Sequence, residues 1–335
     1  MMVRTRVLAL TVGVALVFGL ATEALAQRDN DRNRNRQERQ EIETLVKLVD
    51  GVMAGTEGPA DIQFKLTPYF LKSQEARTFV PFSLEVIGAP SADVALYVRL
   101  VDPAVEADPK KRMEYPWDDI HFVPAAQVAG NPARLNRVLM AVPGTYDLYI
   151  AMKERTPERP QRGATYKTGV MKTSIAVPDL STEFTTSSVL VTDTITMLTA
   201  PLTPEEQRER PFVFGAQELV PAADAEFAKN QELNIFFQVY NPGLDDAGKP
   251  NLVMEYNFHR TENGEEKFFN KTAPQNVNAS NLPPQFDPAV FPVPGGITVP
   301  LTTFPVGEFR LEIKIIDKAA GRELVRNVNF TVTAS

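Results

Sequence analysis

The chain has 335 residues, 43% hydrophobic and 23% charged, with a formal net charge of −7 and no cysteine. That is an ordinary globular composition, long enough for about two domains with sizeable cores. The acidic balance argues against a general nucleic-acid binder. The missing thiol excludes disulfides, zinc–thiolate sites, cysteine nucleophiles and acylation on cysteine. Twenty-seven prolines favour loops, edges and strand-rich folds over long helices.

Residues 1–26 read as a secretory signal peptide. Arg4 and Arg6 precede an apolar run from Val7 to Leu20, and Ala24–Ala26 supplies a small-x-small cleavage pattern. The rival reading is an uncleaved anchor. Cleavage would remove Arg4, Arg6 and Glu23, leaving the mature chain one charge more acidic. No later stretch is apolar for long enough to span a membrane. An exported protein, periplasmic or extracellular, is therefore expected, with no transmembrane span after cleavage.

Residues 27–57 are expected to form a disordered basic arm followed by an amphipathic helix. The arm, QRDNDRNRNRQERQ, has no apolar residue. Asp29, Asp31 and Glu38 dilute its charge, so it reads as a solvated arm more than as a hook for anionic lipid or glycan. In RQEIETLVKLVDGVMAG, Ile42, Leu45, Val46, Val49 and Met53 recur at helical spacing, and Gly51 or Gly55 marks the end. This helix either packs on the first domain or docks a partner.

From about Asp61 the period becomes two. RTFVPFSLEVIG and ADVALYVRLVD read as strands, and a long polar excursion containing MEYPWDDIHF follows. In GTYDLYIAMKE, Tyr146, Leu148, Ile150 and Met152 share one face; Asp147, Tyr149 and Lys153 share the other. Such alternation marks a strand with one buried face and leaves Tyr149 as a surface residue. YKTGVMKTSIAVPDL is its hairpin return. The pattern then recurs. ELNIFFQVYNPG matches the strand around Phe82, and KPNLVMEYNFHRTENGEEKFF matches the one around Tyr97 with a hairpin turn at Asn263–Gly264. GEFRLEIKIID repeats GTYDLYIAMKE, with Phe309, Leu311, Ile313 and Ile315 inward. In the last strand Val328, Phe330 and Val332 point inward. Between the copies, TAPLTPEEQRERP reads as a charged, proline-bounded loop.

The expected fold is all-β: two tandem immunoglobulin-like antiparallel sandwiches, residues 58–180 and 181–335, the second including a linker strand. Each copy needs the same late hairpin to close its sandwich. The leading glycine permits a positive φ or a tight approach.

VPGTYDLYIAMKE, VPDLSTEFTTSSVLV, FFQVYN and GEFRLEIKIIDKAAGRELVRNVNFTV together resemble the tail region of exported bacterial, Acidobacteria-type von Willebrand factor A-related or GWxTD-domain proteins. The resemblance runs from about Asp61 to the end. It implies tandem β-sandwich modules and an envelope location. It carries no site, because the chain lacks GWxTD and the D-x-S-x-S metal motif, and its one tryptophan is Trp117 in YPWDD.

The sequence holds two histidines, His121 and His259, and neither adjoins a nucleophile or metalloprotease signature. A hydrolase with an unfamiliar site would need one of them in a cleft beside a carboxylate or hydroxyl. No catalytic residue, cofactor site or metal site is therefore assigned. The most site-like stretch holds Tyr115, Trp117, Asp118, Asp119 and His121, candidates for contact with a ligand or partner. Its acids and imidazole suit a cation, but adjacent aspartates on a strand would point apart. NPGLDDAGKP lacks calcium-loop spacing and reads as a turn. The expected function is that of a non-catalytic structural or interaction protein of the cell envelope, an adaptor or spacer with a protein partner. The alternative is a carbohydrate-binding module using the Trp117 loop on a polysaccharide.

Overall fold

A computed structural model of the protein describes residues 34–73, 76–88, 90–105, 114–157, 159 and 161–334. The signal peptide and the first half of the arm expected from the sequence lie outside these residues. Strands make up 49% of the structure and helices 10%, so the fold is all-β.

The first sandwich opposes two antiparallel sheets. In one, β3 (Thr78–Ile87) is central. It pairs on one edge with β6 (Ala133–Ala141) and on the other with β1 (Gln63–Pro68) and β2 (Leu71–Lys72), which form one interrupted strand. The second sheet runs β5–β4–β7–β8: Trp117–Val123, Val94–Val101, Gly144–Glu154 and Thr168–Val177. Val80, Phe82 and Leu84 meet Leu96, Val98, Leu148 and Ile150 between the sheets, all nearly inaccessible.

The second sandwich repeats this plan. Central β15 (Glu232–Tyr240) pairs with β19 (Val293–Pro300) and with an interrupted strand made of β9 (Thr185–Thr186) and β10 (Leu190–Thr192). The facing sheet has β16 (Leu252–Glu262), β20 (Gly307–Asp317) and β21 (Arg322–Thr333) at its centre. β17 (Glu265–Lys271) and β18 (Gln275–Val277) pair with β16, and β14 (Glu226–Ala228) lies parallel to β21. Phe309, Leu311, Ile313 and Ile315 point into this core, with Val328, Phe330 and Val332 beside them.

The repeated eleven residues are β7 and β20, the same strand of each copy. Their leading glycines serve different ends. In β7 the Tyr146 ring folds back over Gly144, where a Cβ would meet its hydroxyl at 3.2 Å. The hydroxyl donates to the Val142 carbonyl at 3.0 Å. This is a tyrosine corner, the tie that anchors the equivalent strand of immunoglobulin-like sandwiches. In β20 the aromatic is Phe309, which has no hydroxyl, and Gly307 instead takes φ 144°.

Helix α1 (Arg36–Met53) lies on the outer face of the β5–β4–β7–β8 sheet. It begins inside the stretch read from sequence as a disordered arm. The reason is a capping box: Asn35 Oδ1 accepts from Glu38 N at 2.9 Å and Glu38 Oε2 from Asn35 N at 3.0 Å. Leu45 and Val49 pack against Ala95, Tyr97, Val101, Tyr149 and Ala151. Tyr149, read from sequence as exposed, is therefore buried, and β4 is buried on both faces. The helix is tied at both ends. Glu41 accepts from Arg155 Nε and Thr156 N, each at 2.9 Å, and Asp50 Oδ1 meets Arg99 at 2.5 Å. The matching face of the second sandwich carries Glu255, Asn257, Arg310, Glu312 and Lys314, and among the described residues no helix lies over it. Charged side chains stay hydrated there, whereas an apolar face needs a cover.

Residues 196–219 include the stretch read from sequence as a loop, 199–211, and correct that reading. They fold into a small sheet, β11–β13–β12 (Thr196–Met197, Gln217–Glu218, Val213–Phe214), with helix α2 (Pro204–Glu209) between β11 and β12. Thr203 and Glu206 form its capping box. Phe212, Phe214 and Leu219 cover Leu190 and Phe236 on the second sandwich, joined by Tyr69 of the first. The segment is a wedge seated between the two domains.

Candidate functional site

The stretch Tyr115 to His121 enters edge strand β5 instead of forming a loop, and the alternation of a strand sends its side chains two ways. Ile120 and Phe122 turn toward α1, as does Tyr115 just before the strand. The Arg99 guanidinium stacks 4.0 Å from the Tyr115 ring centroid. Burial first, and the Asp118 carboxylate second, push the Tyr97 phenol far above its ordinary range. Trp117 and Val123 turn the other way and pack on the first core. The indole Nε1 is sealed from solvent without a partner, and the side chain as a whole is half-buried.

Asp119 and His121 share the Trp117 side of the strand and reach the wedge. Asp119 is 5% exposed, and its Oδ2 pairs with Arg208 of α2 and lies 3.3 Å from His121 Nε2. Its Oδ1 accepts from Ile120 N at 2.9 Å. Burial pushes His121 down to about 4; Asp119 opposes this, while Arg137, Arg208 and Arg34 add to it. Arg137, fully enclosed, donates to the Asn136 carbonyl at 2.7 Å and Gln127 Oε1 at 3.2 Å. The result is a neutral imidazole inside an ion cluster that joins domain to wedge.

His259 sits apart, on β16 of the second sandwich. Its Nδ1 is 3.6 Å from Glu266 Oε1, its ring stands edge-on to Phe268 at 6.0 Å, and Nε2 is enclosed without a partner. Glu266 is itself held by Arg310 through two bonds of 2.7 and 2.6 Å. Among the described residues neither imidazole is hydrogen-bonded to a serine, threonine or tyrosine hydroxyl, which a nucleophile–base pair requires. Nor do three or more His, Cys, Asp or Glu side chains gather as metal ligands among them. No helix among them is long and apolar enough to cross a membrane.

The structural emphasis thus falls on the junction, which sequence reading missed. Arg134 of β6 donates to three successive carbonyls beyond the wedge: Pro221 and Ala222 at 3.2 Å and Ala223 at 3.0 Å. The breaks in the two interrupted strands bond to each other, Phe70 N to Ser188 Oγ and Ser188 N to the Phe70 carbonyl, both at 2.9 Å. Lys72 N donates to Tyr240 Oη at 3.0 Å. The Tyr69 and Phe212 rings meet edge to face at 5.3 Å. One signal was present in the sequence: Thr203-Pro204-Glu205-Glu206 is a helix start, with proline in the first turn and a capping residue before it. No family model matches the chain, and no curated protein matches it either.

Proposed function

We propose that the protein is a non-catalytic, exported structural or interaction protein of the bacterial cell envelope, acting as a rigid adaptor or spacer. The observation that carries this reading is the wedge. It is bound to the first sandwich by the Arg208–Asp119 pair and to the second by Phe212 and Leu219. Flexible two-domain proteins are joined by exposed linkers with few crossing contacts; here apolar packing, an ion cluster and backbone bonds all cross the junction. Such a body holds two binding ends at a set spacing. The export reading of residues 1–26 and the absence of cysteine support the location. Both histidines serve in ion clusters, which supports a non-catalytic role. No observation favours the polysaccharide alternative, because Tyr115 and Trp117 are both engaged internally.

The open charged face of the second sandwich suits a polar protein partner. In-cell crosslinking of the tagged full-length protein, followed by mass spectrometry, tests the proposal. One abundant envelope protein, crosslinked through Lys314 or the sandwich loops, is the expected result. Self-crosslinks alone would overturn the adaptor role.

A further inference from the structure

A cavity of about 520 Å³ opens where the first sandwich, the wedge and the second sandwich meet. That volume lies within the roughly 300–1,000 Å³ of sites that hold drug-sized molecules. Its lining is mostly apolar and includes Phe79, Phe214, Tyr240 and Phe291. The walls are braced from behind: Phe214 packs on Phe236 at 4.7 Å and Phe291 on Phe286 at 6.3 Å. Pro211, Pro288 and Pro292 in the rim restrict backbone freedom. The space is therefore preformed, which lowers the cost of binding.

Its charge is one-sided. Lys72, Arg208 and Arg210 line the cavity and, among the described residues, no aspartate or glutamate does, in a chain whose net charge is −7. Arg208 is paired with Asp119, and Arg210 holds Glu218 through bonds of 2.9 and 2.5 Å. The Lys72 ammonium donates to a neutral acceptor, Asn241 Oδ1, at 3.1 Å, and its charge also reaches the Asp179 carboxylate, with which it has no ion-pair contact among the described residues. A carboxylate arriving at Lys72 would replace that neutral contact with a charge-assisted one.

We infer that this interdomain cavity is a binding site for a single-chain organic carboxylate of fatty-acid type, its apolar body among the aromatic side chains and its head on Lys72. The test is calorimetric titration of the full-length protein with sodium dodecanoate, with dodecanol as the uncharged control, on wild type and Lys72→Met. Wild type is expected to bind one dodecanoate about tenfold or more tightly than dodecanol. In Lys72→Met dodecanoate should weaken to the level of dodecanol, while dodecanol binding is unchanged and so shows that the cavity is intact. Absence of saturable binding, or equal affinity for acid and alcohol in wild type, would overturn the inference. So would capture on phosphatidylglycerol vesicles without binding of free dodecanoate, since the anionic lipid would then be read at a membrane surface.

Discussion

Replacing His121 by glutamine should flatten the acid side of the protein's stability profile. His121 is held neutral by burial, its pKa pushed from 6.5 down to about 4, with Asp119, Arg137, Arg208 and Arg34 as the surrounding charges. Between those two pH values the unfolded chain binds a proton that the folded chain refuses. Stability from this group is therefore complete above about pH 6.5 and is lost as pH falls toward 4. At about 1.36 kcal/mol for each pH unit, the loss reaches about 3 kcal/mol. Glutamine keeps an N–H for Asp119 but cannot titrate. Urea unfolding from pH 7.5 to 4, followed through the fluorescence of the single tryptophan, isolates the effect, because Trp117 lies on the same strand as His121. Comparing the two proteins at each pH cancels the carboxylates they share. The variant should gain on wild type by about 3 kcal/mol across that window. Parallel profiles would refute the idea that a neutral, buried imidazole is built into the junction.

Other substitutions probe the scaffold. Leu45→Ala removes a fully buried side chain beneath α1 and should cost about 2–5 kcal/mol in a urea denaturation curve. It should also speed hydrogen exchange along β4 and β7 while leaving β16 and β20 unchanged. Tyr146→Phe deletes the hydroxyl that reaches the Val142 carbonyl, and a loss of about 1 kcal/mol is expected in the same measurement. Gly169→Ala would place a Cβ 2.0 Å from the Ile62 carbonyl oxygen. Because that contact is backbone against backbone, a lowered melting temperature is expected, and an unchanged one would contradict the close approach of the two segments.

Much of the fold was legible because strand geometry is local. Alternation in GTYDLYIAMKE and GEFRLEIKIID assigns Tyr146, Leu148, Ile150 and Ile313 to buried faces without any knowledge of the partner sheet. The candidate stretch around Trp117 was half legible. Adjacent aspartates on a strand must diverge, and Asp118 and Asp119 do. Nothing local, however, shows that Asp119 meets an arginine 89 residues later. The start of α1 was a different failure, since the Asn35–Glu38 capping box was present but was outweighed by the polar composition around it.

By itself the sequence determined the period of each strand, the duplication of the sandwich and the face that each late hairpin buries. These follow from short-range backbone geometry and the cost of exposing apolar side chains. Tertiary structure alone decided what covers the opposite faces. Tyr149 is buried because α1 lies on it, while Arg310, at an outward position of the sister strand, stays in a hydrated ion network. It also decided that a proline-bounded charged segment becomes a wedge. Contacts between residues far apart in the chain depend on how completed sheets pack together, and no local periodicity records that.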